Sequence, residues 1–298
     1  MIELIFVIVI MGIIGKFGVE FLAQAYKSFI FSKVNHELQS TSEQAVEIIA
    51  KRLESRIRSS VIARTATTST PIPIASASGN SYTVLEWIAT DDDGFRGTTK
   101  PLWSGIIDVD NHDANSSILV SPETNTSATS ALISVLSDGD SNISTSAIYF
   151  VGSNSNTITD YGWDGNITRI NSQKGAIHPI TSNATLDQFV SSTGSDFSGV
   201  DVYEYYKLAW TAYAIVYEAG TNGKGTLRLY WDYQPWLDSD GNGVSDQYDT
   251  APHVKSAILM ENVSTFQFMS IGSIMKIQVC TKSDLVEEYS LCKEKTIF

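Results

Sequence analysis

The segment from residue 238 to residue 249, DSDGNGVSDQYD, holds the clearest set of side chains for chemistry in this sequence. A calcium ion prefers six to eight oxygen ligands, and a twelve-residue loop can supply them from positions 1, 3, 5, 7, 9 and 12 around a glycine at position 6. The residues at those positions are Asp238, Asp240, Asn242, Val244 through its carbonyl, Asp246 and Asp249, with Gly243 at position 6. The flanking segments PWL and TAPHV do not have a helical pattern. The spacing therefore predicts an isolated structural calcium loop, with a solvated acidic turn as the alternative.

The two cysteines, Cys280 and Cys292, lie close together near the C-terminus. A zinc site would need four ligands at closer spacing, so the pattern favours one disulfide. Closing a loop of about 13 residues would stabilise the fold by roughly 3 kcal/mol and would imply an oxidising compartment. Two unrelated reduced thiols are the alternative.

Possible N-linked glycan acceptors form a third group. Four Asn-x-Ser/Thr sites also carry an acidic residue two positions before the asparagine, and in this they resemble the extended sites of bacterial oligosaccharyltransferases. They are Asn115, Asn125, Asn142 and Asn166. Asp, Asn and Ser also share turns for backbone reasons, so glycan attachment and ordinary turn composition both stay open.

Charge and motifs exclude several function classes. The formal net charge of −13 argues against a nucleic-acid partner, which would require a cationic face. The charge is divided unevenly, because residues 1–64 hold eight Lys or Arg and six Asp or Glu, and the acidic excess lies in the remainder. The sequence has no HExxH, GxSxG, Walker or dinucleotide-binding motif, so we expect no enzymatic activity.

The hydrophobic pattern predicts a long helix followed by a β-rich head. Residues 1–31 are mostly apolar, and residues 32–64 repeat apolar side chains at steps of four or seven, which is typical of an amphipathic helix. A helix over residues 1–64 would be roughly 90 Å long, and its apolar half would project from the head. Residues 65–80 are predicted as a linker, and residues 81–298 as the head. The expected fold class is α+β, with the helix packed on an antiparallel β-sheet and loop-rich insertions.

The N-terminal segment MIELIFVIVIMGIIGKFG resembles the N-termini of type IV pilins and type II secretion pseudopilins. The shared features are an apolar run, a lone glutamate near its start, a later glycine and an amphipathic continuation. The terminal CTKSDLVEEYSLCKEKTIF also resembles the C-terminal disulfide loop of many pilins.

The resemblance implies a structural subunit of a type IV pilus or pilus-like filament. A prepilin peptidase would process the chain in the bacterial inner membrane, the new N-terminus would be methylated, and the pilus assembly machinery would add the subunit to an extracellular homo-oligomeric filament. Met1 and Glu3 are the implied assembly residues, with Glu3 neutralising the N-terminal amine of a neighbouring subunit. A minor pilin or pseudopilin, and a single-pass anchored adhesion module, are the alternatives.

Overall fold

The computed structural model describes residues 2–65, 70–77, 81–111, 117–193, 196–283 and 289–298. One long N-terminal helix packs on a large antiparallel sheet, and loop-rich insertions carry a second sheet. The predicted α+β fold class is therefore confirmed. The α-helices of the described residues are α1 (Ile2–Glu54), α2 (Asp92–Arg96), α3 (Thr126–Leu136) and α4 (Ile167–Asn171).

Helix α1 ends at Glu54, so the prediction of a helix over residues 1–64 was wrong at its C-terminal end. The side chain of Arg56 is buried and donates from Nη1 to the Leu53 carbonyl at 2.7 Å. This bond satisfies one of the carbonyls that the last turn of a helix leaves without an intrahelical donor.

The residues after α1 keep a helical spacing although they are not helical. Ile57 and Val61 are four positions apart, yet Ile57 packs with Tyr161 and Trp163 in one cluster and Val61 packs in the cluster beneath α1. The Ile57 N–H donates to the Ile88 carbonyl at 2.8 Å, which joins this segment to the sheet. Burial on two sides of the sheet requires a non-helical backbone here.

The strands of the described residues form two sheets. They are β1 (Ile62–Arg64), β2 (Ile72–Pro73), β3 (Val84–Ala89), β4 (Ile118–Val120), β5 (Ala147–Phe150), β6 (Ile177–Ser182), β7 (Gln188–Ser191), β8 (Tyr206–Ala209), β9 (Thr211–Glu218), β10 (Gly225–Tyr233), β11 (Lys255–Ile271), β12 (Ile274–Lys282) and β13 (Ser290–Ile297). The large sheet has the order β13-β12-β11-β10-β9-β3-β1-β2, and every neighbouring pair is antiparallel. Because β2 lies inside the predicted linker of residues 65–80, that segment contributes to the sheet.

The small sheet is inserted between β3 and β9 and has the order β4-β7-β6-β5-β8. Its last strand, β8, ends at Ala209, and β9 of the large sheet begins at Thr211. Trp210 alone therefore connects the two sheets along the chain at this point.

The buried side chains of the described residues form three hydrophobic clusters. The first lies between α1 and the large sheet and includes Ile49, Leu53, Trp87 and Phe266. The second, with Trp163 and Trp236, covers the opposite face of β3 and β9, and the third, with Phe150 and Phe189, belongs to the small sheet. The C-terminal half of α1 is thus part of the core, whereas its N-terminal half is not.

Candidate functional site

The N-terminal part of α1, residues 2–31, is exposed along its length, and we call it the projecting helix. Large apolar side chains such as Phe6, Phe17 and Phe21 are 67%, 65% and 71% exposed. The helix is long and apolar enough to cross a membrane, and no residue of its most apolar stretch is buried. The projecting helix is about 45 Å long at 1.5 Å per residue. Its apolar surface is a candidate interface with lipid or with other apolar helices.

Glu3 lies in the first turn of the projecting helix and is exposed. A carboxylate is favoured there by the partial positive charge of the helix N-terminus. Within the described residues, no cation forms an ion pair with Glu3. Met1, the other predicted assembly residue, lies outside the described residues.

A polar stripe interrupts the apolar surface further along the projecting helix. Lys16, Glu20, Gln24 and Lys27 follow one another at steps of four, four and three, so they share one face of the helix. The Lys16 Nζ and Glu20 Oε1 atoms are 4.0 Å apart, which makes this acid paired within its own chain. Glu3 and Glu20 are therefore different kinds of carboxylate on the same helix.

The C-terminal half of α1 is fixed to the edge of the large sheet. Two ion pairs join it to β13: Glu43 Oε2 lies 3.6 Å from Lys293 Nζ, and Glu47 Oε1 lies 2.5 Å from Lys295 Nζ. Because these side chains are exposed, solvent screens both pairs and each stabilises the contact only weakly. Burial of apolar side chains on the sheet-facing side of α1 is the larger stabilising contribution.

Cys280 and Cys292 form the predicted disulfide, and the two cysteines lie directly opposite each other on β12 and β13. The chain between them returns to the sheet past Tyr289, whose hydroxyl donates to Asn35 Oδ1 at 2.7 Å. The Tyr289 and Phe31 ring centroids are 4.8 Å apart. The disulfide loop thus contacts α1 where the projecting helix meets the packed half.

Removing the disulfide should lower the stability of the head. We expect the double variant Cys280→Ser and Cys292→Ser to lose about 3 kcal/mol of unfolding free energy, because the unfolded chain gains the freedom of an open loop. Denaturant unfolding of the full chain in detergent, with and without a reductant, would measure the loss. The reductant should destabilise only the parent chain; equal stability of parent and double variant would contradict the prediction.

The predicted calcium loop brings together the first three of its six residues. The Asn242 N–H lies 2.9 Å from Asp238 Oδ1 and 3.1 Å from Asp240 Oδ1, and the Gly243 N–H donates to Asp238 Oδ2 at 2.9 Å. Asn242 Oδ1 accepts from the Val244 N–H at 2.7 Å. These bonds fold residues 238–244 into a compact turn with acidic oxygens on it.

The second half of the loop is arranged differently. Asp246 is buried and accepts from the Ser239 N–H at 3.0 Å and the Ser239 hydroxyl at 2.5 Å, whereas Asp249 is exposed. Burial raises the pKa of Asp246, and Asp240 and Asp238 raise it further. No group of three or more Asp, Glu, His or Cys side chains in the described residues could hold a metal ion as arranged. A bound ion would require Asp246 and Asp249 to turn toward the first three residues, so calcium binding stays a prediction.

Calcium should raise the melting temperature if the loop binds it. A bound calcium ion would relieve the repulsion between neighbouring carboxylates. At a calcium concentration of about 100 times Kd, binding to the folded state would add roughly 2.7 kcal/mol of stability. Melting with calcium and with a chelator would measure the shift. Asp240→Asn should remove it and Glu261→Gln, an exposed acid on β11, should keep it; identical midpoints with ion and chelator would contradict the prediction.

Three of the four predicted glycan acceptors begin helical turns. Asn125 accepts from the Ala128 N–H at 2.9 Å, Asn142 from the Ser144 N–H at 2.8 Å and Asn166 from the Thr168 N–H at 3.1 Å. Asparagine is a favoured residue at this position because its side-chain oxygen satisfies a free N–H. Helix capping therefore explains these asparagines without a glycan, and attachment stays untested. Asn115 lies outside the described residues.

Asp91 is a buried titratable group beside the end of α1. Its side chain accepts from the Gly94 N–H and from the Trp103 indole N–H, each at 3.1 Å. Burial raises its pKa to about 6, although both of these donors lower it. The folded protein therefore holds this proton at a pH where the unfolded chain, with a pKa near 3.9, has lost it.

Asp91 should make stability fall as pH rises. Since the pKa of Asp91 is higher in the folded state, protonated Asp91 stabilises the fold fully below about pH 4, and this stabilisation is lost by about pH 6. The free energy of unfolding changes by roughly 2–3 kcal/mol between these pH values. Denaturant unfolding at pH 4 and pH 6.5 should show this loss reduced in Asp91→Asn and preserved in Asp201→Asn, an exposed acid that does not act on Asp91. An unchanged pH dependence in Asp91→Asn would contradict the assignment.

Comparison with known proteins adds no relative. No family model, curated protein or solved structure matches the chain.

A buried ion pair is the main feature that sequence reasoning missed. Arg64 Nε and Glu86 Oε1 are 2.8 Å apart with side chains only 3% and 0% exposed. The other Glu86 oxygen accepts from the Tyr233 hydroxyl at 3.0 Å, and Arg64 Nη1 donates to Gln247 Oε1, within the predicted calcium loop, at 3.1 Å. The available signal was Glu86, a charged residue within a β-rich run, whereas Arg64 lies in the segment predicted as helix. Only the register of β1 and β3 brings the pair together.

Proposed function

We propose that this chain is a structural subunit of a type IV pilus or pilus-like extracellular filament. The observation that carries the proposal is the projecting helix: about 30 residues of exposed apolar helix, continuous with a half that is firmly packed on the head. A soluble protein rarely exposes so much apolar surface unless something covers it. In a filament, the projecting helices of neighbouring copies cover one another and form its core.

The same helix suits a membrane-bound state before assembly. A membrane-spanning helix needs about 20 apolar residues, and residues 2–21 satisfy this length with Glu3, Lys16 and Glu20 as the charged exceptions. We propose that the subunit first lies in the bacterial inner membrane, is processed by a prepilin peptidase and then moves into the filament. The role is structural rather than enzymatic. The disulfide would form after the head reaches an oxidising compartment.

A minor pilin or pseudopilin is the second candidate. The observation that favours it is the size of the insertion. In the sequence, the whole small sheet is inserted between β3 and β9, which are adjacent strands of the large sheet. Such an elaborate head would occupy more room around a filament core than a repeating subunit needs. A single-pass anchored adhesion module would use the same projecting helix as a plain membrane anchor.

Electron microscopy of the surface filaments of the source cells, with mass spectrometry of their main protein, would test the proposal. A main band of this chain would support the repeating subunit. Detection at a few copies per filament would support the minor pilin. Recovery from membranes only, in cells whose filaments lack the chain, would contradict assembly and support the anchored module.

A further inference from the structure

A cleft of about 460 Å³ lies beside the C-terminal end of α1, between that helix, α2 and the start of β9. Its volume falls within the range of small-molecule sites. The cleft is separate from the projecting helix and from the 238–249 loop, so it has no part in the proposed assembly function. The exposed apolar side chains Ile48 and Leu136 contribute to its walls, together with the half-buried Trp231.

The indole N–H groups of the chain's six tryptophans single out this cleft. Four of them donate to protein acceptors: Trp87 to the Arg52 carbonyl, Trp103 to Asp91, Trp163 to the Ser60 carbonyl and Trp236 to the Thr145 carbonyl. Within the residues that the structure describes, the N–H groups of Trp210 and Trp231 have no protein acceptor, and both side chains line the cleft. Trp210 is only 7% exposed. Both indole N–H groups remain accessible to solvent, so these two donors are available to a ligand.

The charged side chains of the cleft offer both donors and acceptors. In the described part of the chain, Lys51 has no carboxylate partner. Asp93 and Arg96 are 4.0 Å apart and 60% and 77% exposed, so water or a ligand can replace their weak contact. Asp92 accepts from the Thr90 hydroxyl at 2.8 Å. Three aspartates, Asp91 to Asp93, and three cationic side chains, Lys51, Arg52 and Arg96, line the cleft. A simple anion would be repelled by the first set and a simple cation by the second.

We propose that the cleft binds a neutral saccharide. A sugar ring presents C–H groups on its faces and hydroxyl groups, each both donor and acceptor, around its edge. The faces would lie against the aliphatic side chains of Ile48 and Leu136, while hydroxyls accept from the indole N–H groups and Lys51 and donate to Asp93. This arrangement uses the two free indole N–H groups and the balanced charges together.

Titration of the full-length chain with glucose, galactose, mannose and N-acetylglucosamine would test the proposal. The chain is held in a detergent without a sugar headgroup, and binding is followed by tryptophan fluorescence and ligand-observed NMR. We expect saturable binding of at least one sugar in the millimolar range. Trp231→Phe and Lys51→Met should each weaken it about twofold to tenfold, the effect of one lost hydrogen bond, and Lys27→Met on the projecting helix should leave it unchanged.

Three results would overturn the proposal. The first is no saturable binding of any of the four sugars. The second is sugar binding that Trp231→Phe and Lys51→Met leave unchanged while both variants melt like the parent chain. The third is binding of glucuronate or tetramethylammonium, weakened by the same variants, in place of the neutral sugars.

Discussion

Glu3→Ala should reduce filament yield at least tenfold while leaving the head folded. A carboxylate in an apolar environment costs about 2.5–3.5 kcal/mol, so it is retained where it has a partner. Glu3 has no ion-pair partner among the described residues of its own chain, and it lies beside the N-terminus, where the amine of a neighbouring subunit would neutralise it under the proposed function. A loss of 1.4 kcal/mol per contact already changes an association constant tenfold.

The double variant Lys16→Gln and Glu20→Gln is the matched control for this experiment. It removes another carboxylate from the projecting helix together with the lysine that pairs with it, so no unpaired charge is left. Sheared filament yield, compared with total subunit in the membrane fraction, separates assembly from expression. Normal yield from Glu3→Ala, or an equal loss from the double variant Lys16→Gln and Glu20→Gln, would contradict a specific pairing role for Glu3.

Glu86→Ala should destabilise the head by about 3–5 kcal/mol. The change leaves Arg64 buried without its counter-ion, and an uncompensated buried charge is among the most costly single defects in a core. Since whole domains are stable by only about 5–15 kcal/mol, much of the population should unfold under mild denaturant. Burial raises the pKa of Glu86, while Arg64 and the Tyr233 hydroxyl lower it, so the pair depends on its close geometry.

Two further variants distinguish loss of the charge from loss of packing. Tyr233→Phe removes only the hydroxyl that donates to Glu86 and should lower the free energy of unfolding by about 1–3 kcal/mol. Replacing both partners, with Arg64→Met and Glu86→Leu, should recover much of the stability lost in Glu86→Ala because no unpaired charge remains. Denaturant unfolding would measure all three, and a double replacement no more stable than Glu86→Ala would contradict the charge argument.

Local patterns in the sequence were sufficient to predict some features of the structure. The exposed apolar helix follows from composition alone, and the disulfide follows from the presence of only two cysteines. The end of α1 could not be found this way, because Ile57 and Val61 keep a helical spacing while they pack on different sides of the sheet. A periodic pattern records which residues are buried but not against what.

Features that depend on distant contacts could not be predicted. The order of the small sheet and the pairing of Arg64 with Glu86 both arise from strand register. The asparagines show a related limit, since a glycan acceptor and a helix cap share the same short pattern. Only the observed side-chain bonds of Asn125, Asn142 and Asn166 identify them as caps. In the 238–249 loop, the sequence shows the spacing of the ligands. It does not show that the Ser239 N–H and hydroxyl donate to Asp246 and so occupy its oxygens.

The cross-strand disulfide has a mechanical consequence. The packed half of α1 lies across the large sheet, and two of its ion pairs reach β13, which is an edge strand with a neighbour on one side only. If a filament is stretched, part of the tension in the projecting helix passes to β13 and tends to shear it away from β12. The bond between Cys280 and Cys292 is a covalent cross-link across that boundary, so β13 cannot slide free while the bond is intact. The resistance of the subunit to pulling should therefore depend on the redox state of its surroundings.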